Sequence, residues 1–423
     1  MKHTDWQGFY GPAYRLLLTQ QSASDVDEMI WGEVLQLQER NPASEGHWEF
    51  LATGYLHLFD RRDQLPSEMA HRLTQLTSRF HKQPRTCNWR LMAQVVKARL
   101  CGRLLRLSDL AASRLVPAHT GFLPDEPGDS SSQYHAYMLL LVMRFGDPRD
   151  EGLRAVVERA TRWLHDVHHQ HGDPSPLGRG RFQIFGYAAM AALANLCERW
   201  NAPIDAVWHS AVWARSVPES PTGSMSAAWA GPHRTYLLHG YNTTDDYPAF
   251  AALWMNGICE PPPLPLGDSR DAAVSWWHPL DDSGSGLIAN SSRQIAALLV
   301  DPHPRGATSV RHLATALLRR YRRTRSREYA PVRLDPFDTI RCGGFRLVRH
   351  DDRFVLNVDS DHLTSVLTTD SVTLWLPHST EHSSLAGSCE LEHLTWQRTN
   401  ASNWYGMKVR VVRYGDFQVE WKF

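Results

Sequence analysis

The spacing of apolar residues changes once along the chain, and this change constrains the fold more than any other feature. Up to about residue 260, apolar residues recur every three to four positions, as in helices that bury one face. Beyond the proline-rich stretch EPPPLPLGDSRD, at 260–271, they alternate with polar residues, as in half-buried strands. The sequence therefore predicts a helical domain at 1–265 and an antiparallel β-domain at 266–423.

The first domain divides into helical segments separated by short breaks rich in Gly, Pro, Asp and Ser. They are DVDEMIWGEVLQLQ, PSEMAHRLTQLTSRF, NWRLMAQVVKARLCGRLLR, EGLRAVVERATRWLHDV, GRFQIFGYAAMAALANLCERW, IDAVWHSAVWARS and DDYPAFAALWMNGI. Short connections make neighbouring helices antiparallel, which favours a bundle, a solenoid or a toroid. The segments share no fixed sequence period, and this counts against a solenoid.

The second domain reads as strands joined by Gly and Asp turns. The clearest strands lie in FDTIRCGGFRLVRHDDRFVLNVDS, SVTLWLPHS and MKVRVVRYGDFQVEWKF. DDSGSGLIANSS, at 281–292, is a hairpin signal. One segment, ATSVRHLATALLRRYRR at 307–323, has helical spacing instead.

Composition excludes several functions. The 45 basic and 45 acidic residues balance, so no overall charge favours nucleic acid as a partner. No run of eighteen apolar residues predicts a membrane span, and the N-terminal sequence lacks an export signal, so we expect a cytoplasmic protein. The cysteines form no CxxC pair, and His168, His169 and His171 lack metal-ligand spacing, so we expect no metal and no cofactor.

Four polar clusters stand at helix starts or in the loops before them. They are Asn88-Trp89-Arg90; Gln133-Tyr134-His135; the loop with Arg179 and Arg181; and the loop with His239, Tyr241 and Asn242. Each has a structural alternative. Asn88 can be an N-cap, Asp129 or Ser130 can cap the helix that begins near Gln133, and the two loops can be solvated turns. Because the clusters recur at the starts of successive helices, we expect them to meet at one end of the domain.

These residue types favour β-elimination from a uronic acid. Asn, His or Arg can neutralise the sugar carboxylate so that the proton on the neighbouring carbon becomes acidic. Tyr or His can then take that proton and give one to the departing glycosidic oxygen. Hydrolysis would instead require two carboxylic acids, and the candidates stand in turns where capping explains them: Asp125, Glu126, Asp129, Asp245 and Asp246.

Several stretches, taken together and in order, carry a family resemblance. They are CNWRLMAQVV, GFLPDEPGDSSSQYHAY, PSPLGRGRFQIFGYAAMAALA, HGYNTTDDYPAFAAL and RYRRTRSREYAP. The chain resembles an uncharacterised bacterial family that is similar to heparinase II/III-type polysaccharide lyases. The resemblance implies an incomplete α/α toroid followed by an antiparallel β-sandwich.

The resemblance also implies roles for single residues. Asn88 matches the Asn that neutralises the uronate carboxylate, Tyr134 matches a catalytic Tyr, and Arg179 falls on a Gly-Arg position. His239 and Tyr241 lie where a loop facing the cleft is expected. The chain departs from the family at His135, where a second Tyr is usual, and at DDYPAF, where Ser-Pro-Tyr-Trp is usual. The His-Gly-His-Ala-Asp motif is missing, and His278, His362 and His378 are candidates to replace it.

The sequence thus predicts a lyase that cleaves an acidic oligosaccharide or polysaccharide by β-elimination. The predicted catalytic residues are Tyr134, His135, His239 and Tyr241. The predicted substrate-binding residues are Asn88, Trp89, Gln133, Arg179, Arg181 and Asn242. Two alternatives stay open: a toroid glycoside hydrolase that uses Asp125 or Asp129, and a glycan-binding protein without activity.

Overall fold

A computed structural model describes somewhat less than half of the helical half and twelve strands of the second half. In the helical half the described residues are 14, 17, 32, 47–56, 66–77, 86–115, 117, 120–125, 131–171, 184–202, 250, 253 and 254. The predicted boundary at 265 and the predicted helices at 204–216 and 307–323 lie outside the described residues.

The described helices follow the helical spacing of the sequence. They are α1 (His47–Leu56), α2 (Ser67–Thr77), α3 (Cys87–Leu100), α4 (Leu107–Ala112), α5 (Ser132–Phe145), α6 (Glu151–His171), α7 (Ile184–Ala194) and α8 (Cys197–Trp200). The helix predicted over 88–106 ends early, because Gly102 takes a left-handed backbone with φ of +68°. The segment at 180–200 forms two helices instead of one.

Helix α5 lies at the centre of the described helices. All but one of its fourteen residues are buried, whereas a surface helix would bury one stripe. It packs against α3, α6 and α7. Small residues along α7 bring that helix close, since a Cβ on Gly186 would collide with the Cβ of Gln133.

Helices α3, α5 and α7 run parallel. At their C-terminal ends, Leu105 pairs with Gly146 beyond α5, and the indole of Trp200, just after α7, donates to the carbonyl of Met143 at 2.9 Å. At the other end, Gly186 near the start of α7 approaches Gln133 near the start of α5. The predicted convergence of helix starts is therefore observed for these three helices.

Helix α6 returns in the opposite direction along the outside of α5. It begins just after α5 ends, and its tenth residue, Ala160, contacts His135 in the first turn of α5. The described helices thus form a parallel layer with one returning helix outside it, and their closure into a toroid stays a prediction.

The second half contains only strands among its described residues. They are β1 (Ser275–Pro279), β2 (Gly286–Asn290), β3 (Ile295–Val300), β4 (Val332–Leu334), β5 (Thr339–Cys342), β6 (Phe345–His350), β7 (Arg353–Val358), β8 (Val372–Leu376), β9 (Glu381–Ala386), β10 (Cys389–Leu394), β11 (Gly406–Val411) and β12 (Phe417–Lys422). Every pair among these strands is antiparallel, in the orders β10-β11-β8-β3-β2-β1-β4 and β5-β6-β7-β12-β9. Strands β1 and β2 pair antiparallel, in agreement with the hairpin predicted at 281–292. Packing of the two sheets into a sandwich stays a prediction.

None of the described helices combines the length and the apolar character needed to cross a bilayer.

Candidate functional site

The start of α3 shows that Asn88 is not a helix cap. Thr86 has the extended backbone of an N-cap, and its hydroxyl accepts a hydrogen bond from the N–H of Trp89 at 3.4 Å. The helix begins at Cys87, so Asn88 is its second residue. The capping explanation of Asn88 is therefore wrong, and its side chain is left for another purpose.

The Asn88 side chain is fully buried and only partly bonded. Its Oδ1 accepts a hydrogen bond from the Thr86 hydroxyl, whereas its Nδ2 has no hydrogen-bond partner among the described residues. A buried amide without a partner costs about 1–3 kcal/mol. A chain that keeps this amide at the end of a helix has a donor available for a ligand.

The start of α5 is capped by Ser131, not by Asp129 or Ser130 as the sequence suggested. The Ser131 hydroxyl accepts from the N–H of Tyr134 at 3.4 Å. The next residue, Ser132, is fully buried, and its hydroxyl has no hydrogen-bond partner among the described residues. A second polar group is thus left unsatisfied at the same end as Asn88.

Gln133 lies between α5 and α7. It is almost fully buried, and its side chain sits over Gly186, where any other residue would collide with it. Trp89 is only half-buried at the start of α3 and packs against the apolar core. Both predicted binding residues therefore lie at the N-terminal end of the parallel helices.

Tyr134 is the least buried residue in the first turn of α5. Its side chain is 9% exposed, whereas Asn88 and His135 are fully buried. Its ring lies 5.7 Å from that of Phe185 at the start of α7, in a tilted arrangement. Tyr134 belongs to the buried core, but it is the more exposed of the two predicted catalytic residues that the structure describes.

His135 has the environment of a structural residue. Its Nδ1 accepts from the N–H of Leu123 at 2.8 Å, so the ring proton is on Nε2, which contacts the carbonyl of Ala160 at 3.2 Å. Its ring stacks on Phe122 and meets Trp163 edge-on, with centroids 5.1 and 4.9 Å apart. Desolvation by burial lowers the pKa of His135 to about 3. Two occupied nitrogens and a neutral buried ring argue against the proton transfer that the sequence suggested for His135.

Asp125 is buried and serves the start of α3. Its Oδ1 accepts from the N–H of Asn88 at 3.2 Å, and its backbone carbonyl accepts from the N–H of Cys87 at 2.8 Å. These bonds satisfy two of the N–H groups that the first turn of a helix leaves unpaired. The Asp125 carboxylate thus has a capping role, which counts against its use as the acid of a hydrolase.

The structure places only half of the predicted site residues. Asn88, Trp89, Gln133, Tyr134 and His135 lie at the joined starts of α3 and α5. The others lie outside the described residues: Arg179, Arg181, His239, Tyr241 and Asn242. Of the candidate β-domain histidines, His278 falls in β1, and His362 and His378 lie outside the described residues.

Sequence reasoning missed a fully buried acid in the first turn of α1. Glu49, in the first turn of α1, is fully buried beside Phe50, whose ring stacks on that of Tyr137 in α5 at 5.3 Å. An acid within the otherwise apolar stretch HWEFLATGYL was the available signal. Its position makes Glu49 a further candidate at this part of the core.

The electrostatics of this end favour an anion. Three parallel helices start together here, and each N-terminus carries a partial positive charge of about half an electron. The N–H groups of Cys87, Asn88 and Trp89 are already bonded to Asp125 and Thr86, so the donor that the described start of α3 leaves for an anion is Nδ2 of Asn88. No cluster of three or more His, Cys, Asp or Glu suited to a metal ion occurs among the described residues. The described groups at this end are suited to hydrogen-bonding an organic anion.

Two comparisons with known proteins gave no match. Neither a protein-family model nor a curated protein sequence matches the chain.

Proposed function

We propose that the protein is a lyase that cleaves a uronic-acid-containing glycan by β-elimination. The observation that carries the proposal is the buried, unpartnered Nδ2 of Asn88 at the joined starts of α3 and α5, as far as the described residues go. A uronate carboxylate placed there would receive the amide hydrogen bond and the favourable field of the helix ends. Its negative charge would be masked, and the neighbouring carbon would become acidic.

Tyr134 is the residue we assign to proton transfer. It starts the same helix, and among the described candidates it alone combines a titratable group with partial exposure. In the proposed reaction, its phenolate takes the proton on C5 of the uronate. The electron pair forms a double bond between C4 and C5, and the C4–O bond breaks. The leaving oxygen then takes a proton from the phenol, which restores the starting state.

The same geometry favours elimination over hydrolysis. A hydrolase needs two carboxyl groups on either side of the scissile bond. Asp125, the described candidate, is committed to the first turn of α3 through its Oδ1 and its carbonyl. A hydrolase that used Asp125 would draw on the same carboxyl group that caps α3, and Asp129, the other candidate, lies outside the described residues.

A glycan-binding protein without activity is the second candidate. The burial of His135 favours it, because the family that the chain resembles usually carries a Tyr there and this chain carries an imidazole with both nitrogens bonded. Such a protein would bind acidic sugars at the same helix ends without cleaving them. The two candidates share the anion site and differ only at Tyr134.

The proposed architecture is an incomplete α/α toroid followed by an antiparallel β-sandwich. The parallel layer of α3, α5 and α7, with α6 returning outside it, supports the toroid. The antiparallel pairing of the twelve strands supports the sandwich. We further propose that the protein acts in the cytoplasm on short acidic oligosaccharides.

The proposal is tested with a panel of acidic oligosaccharides and polysaccharides. Elimination creates an unsaturated uronate, which absorbs ultraviolet light, whereas hydrolysis releases a reducing sugar without this absorbance. Tyr134→Phe is expected to lower the rate about 10²–10⁴-fold, the range for a lost general acid or base. Tyr137→Phe is the matched control, because that phenol lies one turn further along α5 and donates to the sulfur of Met92.

The outcomes separate the candidates. Absorbance that is lost in Tyr134→Phe and kept in Tyr137→Phe supports the lyase. A folded Tyr134→Phe protein with full eliminating activity refutes the assignment of Tyr134. Binding without any product, unchanged in Tyr134→Phe, favours the glycan-binding protein.

A further inference from the structure

The residues at 121–125, called here the 121–125 segment, link α6 to the starts of α5 and α3. Gly121 has φ of +92°, and a Cβ there would collide with the carbonyl oxygen of Arg159 in α6. The ring of Phe122 lies between His135 of α5 and Trp163 of α6. The first part of the segment is therefore fixed against two helices.

The last part of the segment holds α3. Asp125 accepts the N–H groups of Cys87 and Asn88, which are the first two residues of that helix. Between the two parts, the N–H of Leu123 is bound by Nδ1 of His135. A continuous set of bonds thus runs from α6, through His135 and the segment, to the backbone of Asn88.

We propose that His135 is a positioning residue. Through the 121–125 segment it fixes the backbone of Asn88, and so the position of the Asn88 side-chain amide. Its Nδ1 sets the place of Leu123, Leu123 sets the place of Asp125, and Asp125 sets the first turn of α3. The Nε2 contact with Ala160 anchors the imidazole to α6 but leads away from Asn88. The catalytic part of this inference rests on the proposed function, whereas the structural part does not.

Two substitutions of His135 distinguish the hydrogen bond of its Nδ1 from that of its Nε2. In His135→Asn, the side-chain oxygen can replace Nδ1 as the acceptor for Leu123, and the contact with Ala160 is lost. In His135→Gln, the longer amide can replace Nε2 as the donor to Ala160, and the bond to Leu123 is lost. Each variant loses one buried hydrogen bond, so a purely structural role predicts similar effects of both.

The primary measurement is amide hydrogen exchange in peptides that cover 86–92 in the full chain. In His135→Gln we expect the amides of Cys87 and Asn88 to exchange about 10-fold faster than in the wild type, since their cap is released. In His135→Asn we expect wild-type exchange there. Equal exchange in the two variants, whether fast or slow, overturns the proposal.

Asp125 gives a second test if either His135 variant fails to fold. Asp125→Ala should speed the exchange of the Asn88 amide about 10-fold, and Asp125→Asn should restore it, because an amide oxygen can accept the same bond. An Asp125→Ala protein with wild-type exchange at Asn88 overturns the proposal.

The second measurement gives kcat and KM of the proposed elimination reaction for the wild type and both His135 variants. His135→Gln should lower kcat about 10-fold or more with a smaller change in KM, and His135→Asn should keep both. Equal kinetic losses in both variants overturn the catalytic part. If the wild type cleaves none of the acidic glycans but the exchange pattern appears, the proposed function fails while the positioning role of His135 stands.

Discussion

The two ends of the parallel helices α3, α5 and α7 differ in how their polar groups are hydrogen-bonded. At the C-terminal end, protein donors satisfy the carbonyls that the helix leaves open. The guanidinium of Arg199 donates to the carbonyls of Arg144 and Gly146, and the indole of Trp200 donates to that of Met143. Leu105 continues this pattern through backbone bonds to Phe145 and Asp147. This end reads as a purely structural junction.

The N-terminal end keeps polar groups unsatisfied in spite of its burial. Asn88 Nδ2 and Ser132 Oγ have no hydrogen-bond partners among the described residues, at a cost of about 1–3 kcal/mol for each group. At the other end of α5, by contrast, the carbonyls of Met143, Arg144 and Gly146 accept protein donors. The contrast supports the proposal of a ligand site at the N-terminal end, and the following predictions test it in order of decreasing effect on stability.

The largest effect is expected for Gly121→Ala. The substitution places a Cβ against the backbone of α6 and imposes a left-handed conformation on alanine. Together these effects should lower the free energy of unfolding by about 3 kcal/mol. Denaturant unfolding measures it.

Gly102→Ala is the matched control at the other end of α3. Gly102 also has positive φ, but a Cβ there would meet nothing within 4 Å among the described residues. Only the conformational cost of about 1 kcal/mol should remain. Equal losses in the two variants would show that the contact of Gly121 with α6 does not hold the segment.

The second effect is the pH dependence that His135 contributes. Its pKa is lowered from 6.5 to about 3 in the folded protein, so the unfolded chain binds more protons between these values. The contribution is fully present above pH 6.5 and is lost as the pH falls toward 3. Between about pH 6.5 and about pH 5 it should remove about 2 kcal/mol of stability.

The His135→Gln variant isolates this contribution. It lacks the titrating imidazole, so its stability should fall by about 2 kcal/mol less than that of the wild type over the same pH interval. Unfolding curves of both proteins at each pH give the difference. Parallel pH profiles would mean that the imidazole is not buried in its neutral form.

The third effect on stability concerns the C-terminal end of the parallel helices. Arg199→Met removes the donors to Arg144 and Gly146 and should cost about 1 kcal/mol without changing ligand binding. Arg162→Met is the matched control, since Arg162 forms an exposed pair with Glu158 that is worth less than about 0.5 kcal/mol. A loss of acidic-glycan binding in Arg199→Met would contradict the separation of the two ends.

The helices could be predicted because their core positions follow one period. The spacing in α3 predicts a buried face of Leu91, Met92, Val95, Val96 and Leu100; the first four are fully buried and Leu100 is partly buried. The cap of α5 could not be predicted. Asp129, Ser130 and Ser131 follow one another and have similar capping preferences, so tertiary contacts decide among them.

The site as a whole stays a prediction, and the structure shows only how two of its helix starts are arranged. The sequence placed Asn88 and Tyr134 at helix starts, and the parallel arrangement confirms that the starts of α3 and α5 meet. The role of His135 depends on partners 12 and 25 residues away, and that of Asp125 on a helix start 37 residues earlier. Local spacing carries no information on such long-range bonds. The sequence therefore assigned a functional role to all three residues of the triplet Gln133-Tyr134-His135.

The smallest effect on stability, and the sharpest contrast between the ends, is expected for Asn88→Ala. The substitution removes an unpartnered buried amide (among the described residues) and the bond from Thr86, and it improves helix propensity, so stability should stay within about 1 kcal/mol of the wild type. Acidic-glycan binding and cleavage should nevertheless be lost. Thr86→Ala, which removes the cap next to it, should show the reverse: about 1 kcal/mol less stability with binding retained. If Asn88→Ala instead costs about 3 kcal/mol, as the loss of a buried structural bond network does, the amide holds the fold and the two helix ends do not differ in purpose.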